Sequence, residues 1–202
     1  VDAFAVEPTG TSTPATTVTL GALAGDGDVR VLPGTRIRDD QFDVDGFPVI
    51  GADLGTGTTR FVDRIRFALE FPAAKLTEPG DVIFVGGATP RAVVDAEGSS
   101  VVAAPARVLR LADRSLVPEI VAADIAAVQI RVPWRRWAVR RVPLAQAESI
   151  RGAIAAITAD RAATRRRLAH LDDLETLLTT GVAAGSITLN PAESPAPTKG
   201  AS

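Results

Sequence analysis

The side chains most able to do chemistry in this chain are arginines. Of its 22 basic residues, Lys75 and Lys199 are lysine and the other 20 are arginine. From Trp134 to Arg167 nine arginines (135, 136, 140, 141, 151, 161, 165, 166, 167) face only Glu148 and Asp160, a local balance of +7. Leu23 to Asp53 runs the other way, with seven aspartates against Arg30, Arg36 and Arg38, a balance of −4. The formal net charge of −2 averages these two stretches and argues against a generic nucleic-acid binder. Guanidinium forks match phosphate oxygens two at a time, so a basic stripe in a near-neutral chain points to one polyanion-binding side. Arginine-over-lysine usage is also what a high-GC genome produces, so composition alone assigns nothing. Trp134-Arg135-Arg136-Trp137 sets two aromatics beside two guanidiniums. Arginine there suits phosphate or base edges, with tryptophan as anchor. The same residues also suit a cover over the seam between a globular part and the helix that follows.

Other chemistries are narrowed by what is missing. The sequence holds no Cys, Met or Tyr and one histidine, His170. Cysteine-ligated zinc, iron–sulfur clusters, disulfides and thiol catalysis are excluded. His170 precedes an apolar seam residue and reads as a helix-surface or helix–helix contact. Asp39-x-Gln41-x-Asp43-x-Asp45-Gly46 resembles a calcium loop loosely but lacks its closing Glu, and reads as a solvated acidic loop. Gly55-Thr-Gly57 lacks the Lys-Ser/Thr of a phosphate loop and reads as a surface turn. Gly86-Gly87-Ala88-Thr89-Pro90-Arg91 separates two strand-like runs. Thr89 and Arg91 there either donate to phosphate or decorate an ordinary hairpin tip. Arg165-Arg166-Arg167 points three ways on a helix and reads as a solubilising surface. No Gly-x-Ser-x-Gly, His-Glu-x-x-His, Walker or Asn-Pro-Pro-aromatic signature occurs, and a non-catalytic module is expected, with no metal and no cofactor in this chain.

The elements that must position these residues follow from pattern. The chain has 202 residues, 46% hydrophobic and 23% charged; that is one domain, or one domain plus an extended element. Residues 1–16 read as a Thr/Pro/Gly linker and 190–202 as a disordered tail. The opening Val1-Asp2-Ala3 suggests a piece of a longer protein. Residues 17–143 read as a compact mixed α+β domain. Its expected strands are Thr17–Leu20, Val29–Leu32, Pro48–Ala52, Asp81–Val85, Ala92–Ala96, Ser100–Ala104 and Arg107–Leu111. Expected helices span Asp63–Glu70 and Val117–Val128. Glu78-Pro79-Gly80-Asp81 is a turn signal, and Ala96-Glu97-Gly98-Ser99 reads as a hairpin connection. Residues 144–189 read as a long helix and a short extended end. Ile150, Ile157, Thr164, Leu171 and Leu178 recur every seven residues, with Ile154, Leu168 and Leu174 on the same flank. That seam predicts pairing with another helix in a coiled coil. No apolar run approaches the roughly 18–20 residues that cross a bilayer, so a soluble, cytoplasmic protein is expected.

The order of motifs resembles one half of a type I restriction–modification DNA specificity subunit: a target recognition domain and its conserved helix. Gly46-Phe-Pro-Val-Ile50-Gly-Ala-Asp-Leu54 is similar to the family's early strand. Leu76-Thr-Glu-Pro-Gly80-Asp-Val-Ile-Phe84 is similar to its Leu-x-x-Gly-Asp-hydrophobic signature. Arg107–Leu111, then Leu116-x-Pro118, continues in the same order. Val142-Pro143-Leu144-Ala-Gln146 resembles the family's helix start, and Leu177-Leu178 through Gly185-Ser-Ile187 its end. Similar modules close some adenine-specific DNA methyltransferases. The resemblance covers about residues 17–189.

The resemblance implies sequence-specific recognition of double-stranded DNA and a methyltransferase subunit or domain as partner. S-adenosylmethionine would sit on that partner. The helix would pair with that of a second half-unit, which for a single half-unit implies a homodimer. The expected DNA-binding residues are Arg60, Arg64, Thr89, Arg91, Arg135 and Arg136. Ile150, Ile154, Ile157, Leu168, Leu171, Leu174 and Leu178 would pair the helices. The competing reading is a protein-interaction or assembly module whose helix oligomerises and whose α+β domain binds a protein; the acidic Leu23–Asp53 region favours it.

Overall fold

A computed structural model describes residues 15–186, Thr58 and Ile130 excepted. The expected tail at 190–202, the extended end after 186 and all of the expected linker but its last two residues lie outside the described residues. The architecture is mixed α+β with a long C-terminal helix. It divides into two units, one ending at Arg151 and one starting at Gly152.

The first unit is built on a four-stranded antiparallel sheet of β2 (Val29–Pro33), β8 (Arg107–Leu111), β5 (Asp81–Val85) and β6 (Arg91–Asp95), in the spatial order β2-β8-β5-β6. The Asp81–Val85 run is apolar without alternation because both its faces are covered. Val82 and Phe84 enter one core with Leu20, Leu23, Leu109 and Ile125. Ile83 enters a second with Leu54, Val102 and Val108. A three-stranded sheet joins β4 (Arg60–Val62), β3 (Phe47–Ile50) and β7 (Val101–Val102), β3 and β7 running parallel. It shares an aromatic core with α2 (Arg64–Glu70), where Phe47 meets Phe67 edge-on at 5.4 Å. β1 (Thr16–Thr19) and β9 (Ala138–Arg141) form a two-stranded ribbon. Thr16, placed in the expected linker, opens β1.

Two local expectations are corrected. Leu20 does not end the first strand but starts helix α1 (Leu20–Asp26). The Thr19 hydroxyl accepts from the Ala22 N–H at 3.3 Å, and Gly27 ends the helix at φ +83°, a cap geometry that glycine adopts freely. The second correction concerns Ala96–Ser99, which does not make a hairpin: β6 pairs with β5 and β7 with β3. Asp95 accepts from the Gly98 N–H at 2.9 Å, and the Ser99 N–H donates to the Thr77 carbonyl at 2.8 Å. The chain is thereby turned out of one sheet and into the other.

The Leu76-x-x-x-Gly80-Asp81 segment has a structural role. Asp81, buried at the start of β5, accepts from the Glu78 N–H at 2.8 Å and so closes the Pro79–Gly80 turn. Arg110 of β8 then grips both Asp81 oxygens and the Leu76 carbonyl. Helix α3 (Pro118–Ala126) buries Val121 and Ile125, with Pro118 at its first position as expected. Helix α4 runs without a break over Leu144–Ala183, about 60 Å at 1.5 Å per residue. No helix among the described residues is long and apolar enough to cross a membrane.

Candidate nucleic-acid interface

β5 passes to β6 at one end of the four-stranded sheet. Val85 pairs with Arg91, so Gly86–Pro90 is the connection between them. Thr89 and Arg91 are exposed there. Gly87 takes φ +143° with open space where a Cβ would stand; its role is the backbone conformation, not a close approach. Arg91 is not a free cation at a hairpin tip, since its Nη2 donates to the Ala52 carbonyl and ties this turn to the 51–57 loop.

Arg60 and Arg64 lie on the neighbouring three-stranded sheet and α2. Arg60 packs its guanidinium 4.8 Å from the Phe42 ring centre and pairs with Asp39 at 3.5 Å. Arg64 lies 5.5 Å over Phe47. A cleft of about 470 Å³ beside Arg60 is lined by Asp39 and Asp53 as well, so acid outnumbers base in it. The acidic loop is committed to local bonds. Asp40 pairs with Arg38 at 3.1 Å, and Asp43 and Asp45 accept from the next residue's N–H at 2.7 Å. Among the described residues no group of three or more His, Asp or Glu converges to hold a metal.

The Trp134–Trp137 segment is a 3-10 turn (Trp134–Arg136) followed by a buried tryptophan. Trp137 meets Phe84 edge-on at 5.4 Å, and its indole N–H donates to the Val132 carbonyl at 3.1 Å. Trp134 lies 6.4 Å from the same ring. The tryptophans thus anchor in the main core rather than cover a seam at the long helix. Arg135 and Arg136 diverge: Arg135 lies 5.3 Å over the Trp134 ring and lines one groove, while Arg136 lines another with Asp124 and Arg140.

The +7 stretch is less available than its sum implies, because several of its arginines hold the fold. Arg140 bonds Asp124 with Nη2 at 2.7 Å, and this hydrogen-bonded carboxylate raises the arginine's affinity for its proton. Arg141 bridges Asp28 and Asp113, with its Nε 2.8 Å from Asp113. Burial opposes ionisation of Asp113, but Ser115 and Arg141 outweigh it and hold the carboxyl below its usual range. Arg151 donates to the Arg114 and Leu116 carbonyls, the latter at 3.0 Å, fastening the start of α4. Arg30 and Arg107, outside the basic stretch, are exposed and have no carboxylate partner among the described residues, as is also true of Arg36, Arg64, Arg91, Arg114 and Arg131. The signal of Arg30 and Arg107 was local: each opens or interrupts a β-branched run with a charge, and Asp28, two residues before Arg30, is held by Arg141.

The second unit carries the seam. Among the expected pairing residues, Ile157, Leu168, Leu171, Leu174 and Leu178 are exposed, Leu168 by 59% and Leu171 by 53%; Leu177 and Val182 are exposed with them. Ile150 is half-buried within the first unit and Ile154 half-buried in the second.

No protein-family model matches the chain, and no curated protein does. Two solved structures are similar in fold. One is the HsdS subunit from Thermoanaerobacter tengcongensis, at 18% identity and a TM-score of 0.46, covering 88% of this chain and 47% of that one. The other is a chain from a structure of a type I R-M system described for its complex assembly and conformational transition. It is 15% identical, with a TM-score of 0.47 and the same coverages, 88% and 47%. The chain therefore spans about half the length of these solved chains.

Proposed function

We propose that this chain is a sequence-specific DNA recognition module of a type I-like restriction–modification system, acting in the cytoplasm. In this reading it has no catalytic role itself and places an adenine methyltransferase, with its S-adenosylmethionine, on the target. The single observation that carries the reading is the sheet end at Gly86–Arg91. There an exposed turn and the exposed Arg91 extend from a strand whose start is fixed by the Asp81 turn and its Arg110 clamp. Rigid scaffolds with polar loops at one end are how recognition modules hold variable contacts. Thr89 and Arg91 supply contacts there, Arg135 and Arg136 supply them from two diverging grooves, and Arg60 and Arg64 from the adjoining sheet and α2. Acid beside Arg60 makes it the weakest of these contacts.

The exposed leucines of α4 support pairing with the helix of a second copy, burying the seam from Ile150 to Leu178. They support equally the assembly-module reading, in which the α+β unit binds protein and not DNA. Duplex binding separates the two. The protein with its methyltransferase partner is titrated onto a duplex over a range of salt. Binding that falls steeply with salt supports DNA recognition; a dimer with no duplex affinity at low salt supports assembly.

A further inference from the structure

We propose that the groove bounded by α1, β2 and the Trp134–Arg136 turn seats a stretch of phosphodiester backbone, gripped by Arg30, Arg107 and Arg135. This rests on the DNA-recognition reading and extends it to Arg30 and Arg107, which that reading does not use.

The first support is charge. The groove has a volume of about 480 Å³, and its lining includes three arginines and no carboxylate. None of the three has a carboxylate partner among the described residues, a condition they share with Arg36, Arg64, Arg91, Arg114 and Arg131 and not with Arg38, Arg60, Arg66, Arg110, Arg140 and Arg141; what sets the three apart is that they line one groove. The cleft beside Arg60 has the opposite balance, one arginine against Asp39 and Asp53. Asp28, the nearest acid to Arg30 in sequence among the paired ones, is held by Arg141. Three like charges gathered in one groove repel at separations within the Debye length, about 8–10 Å in ordinary buffer. A bound anion removes that repulsion.

Placement is the second support. Arg107 pairs with Phe84 across β5 and β8, two residues from Gly86. The groove therefore runs along the β2 edge, from Arg30, level with Arg110, to Arg107, the end nearer the Gly86–Pro90 turn. Arg30 pairs with Arg110, three residues along β8 from Arg107, about 10 Å at 3.4 Å per residue. An odd step puts the two on opposite faces, yet both reach the groove because β2 is the edge strand and Val29, Arg30 and Val31 line it consecutively. Charges spread along an edge fit a strand bearing one phosphate per ~3.4 Å of helix axis.

The third support is preorganisation. Arg135 stacks on Trp134, which leans on Phe84. A Cβ on Gly21 would stand 2.7 Å from the Arg135 carbonyl, so α1 packs directly on this turn's backbone. A stacked guanidinium on a fixed backbone keeps its N–H edge free for phosphate oxygens.

The test is a fluorescence-anisotropy titration of a mixed-sequence duplex with the full chain, repeated across KCl concentrations. The variants are Arg30→Gln, Arg107→Gln and Arg135→Gln, singly and combined, and the matching lysine triple. Each lost phosphate contact makes the slope of log K against log salt shallower by about 0.9. The combined glutamine variant is expected to lose about 2–3 from the slope, and the lysine triple to keep it. The single variants give the same readout should the triple not fold. Duplex binding with an unchanged slope in the glutamine variants overturns the groove and leaves the DNA reading standing. A wild-type chain that binds no duplex at low salt overturns both. If poly-glutamate binds the wild type as tightly as duplex, and the glutamine triple loses it, the groove takes acidic protein and the proposal falls.

Discussion

Arg110 clamps Asp81 at two points, Nη2 to Oδ2 at 2.8 Å and Nε to Oδ1 at 3.1 Å, where β8 lies against the start of β5. The carboxylate is almost fully buried, its side chain 3% exposed. The hydrogen-bonded carboxylate raises the arginine's affinity for its proton above normal, so the guanidinium keeps its charge. Arg110→Met would strand a buried carboxylate and should cost about 3–5 kcal/mol. Converting both residues to apolar ones should cost less than the single change. Urea midpoints for the two variants check this; equal losses would mean that the clamp is not the turn's fastening.

Two glycine substitutions should move stability in opposite directions. Gly46 takes φ +133°, and a Cβ there would stand 2.1 Å from the Val62 carbonyl oxygen. Gly46→Ala should therefore cost at least about 2 kcal/mol. Gly25 lies inside α1 with open space around its Cβ position. Gly25→Ala should gain up to about 1 kcal/mol, through helix propensity and a less mobile unfolded chain. Thermal melts of the two proteins give the signs directly.

Acid should weaken the junction of β9 with the 113–115 loop. Asp113 titrates below its usual range when folded, because Ser115 and Arg141 outweigh the burial that opposes its charge. A depressed carboxylate contributes stability that is present above its unfolded pKa, about 3.9. That contribution is lost as pH falls through the folded value. The wild type should lose stability below about pH 4 more steeply than Asp113→Asn. Denaturation midpoints for both proteins between pH 3 and 6 test it, and parallel curves would remove Asp113 from the account.

How much of this was legible in the sequence depended on whether an element is made locally. Asp81–Val85 and Arg107–Leu111 were read to the residue, because each is a β-rich run bounded by turn chemistry. The long helix was legible from its seam and its freedom from proline. β9 was not, since Ala138-Val-Arg-Arg has two charges in four residues and becomes a strand only by pairing with β1. β7 was assigned to a hairpin because its parallel partner β3 lies some fifty residues earlier. The exposed placement of Thr89 and Arg91 beside the β5–β6 turn was legible because that turn follows a recognisable strand. Arg107 and Arg135 share a groove only through the packing of α1 and Phe84, which no local pattern encodes.

The leucine seam makes its own prediction. Leu171 and Leu174 are exposed at neighbouring positions of the stripe on α4. If a second copy covers them, Leu171→Glu combined with Leu174→Glu should shift the protein from dimer to monomer, since a paired helix tolerates no charge in its seam. Sedimentation equilibrium reads the mass. An unchanged mass in the variant would place the dimer contact, if one exists, elsewhere on the chain.

The central claim is that this chain recognises duplex DNA for a methyltransferase. The most direct measurement is duplex binding by the protein together with its methyltransferase partner, at low salt and then across rising salt, on a library of random sequences. The account predicts enrichment of a defined target, with affinity that falls linearly in log K against log salt as phosphate contacts release counterions. Absence of duplex binding at low salt, or binding that enriches no sequence, would contradict it.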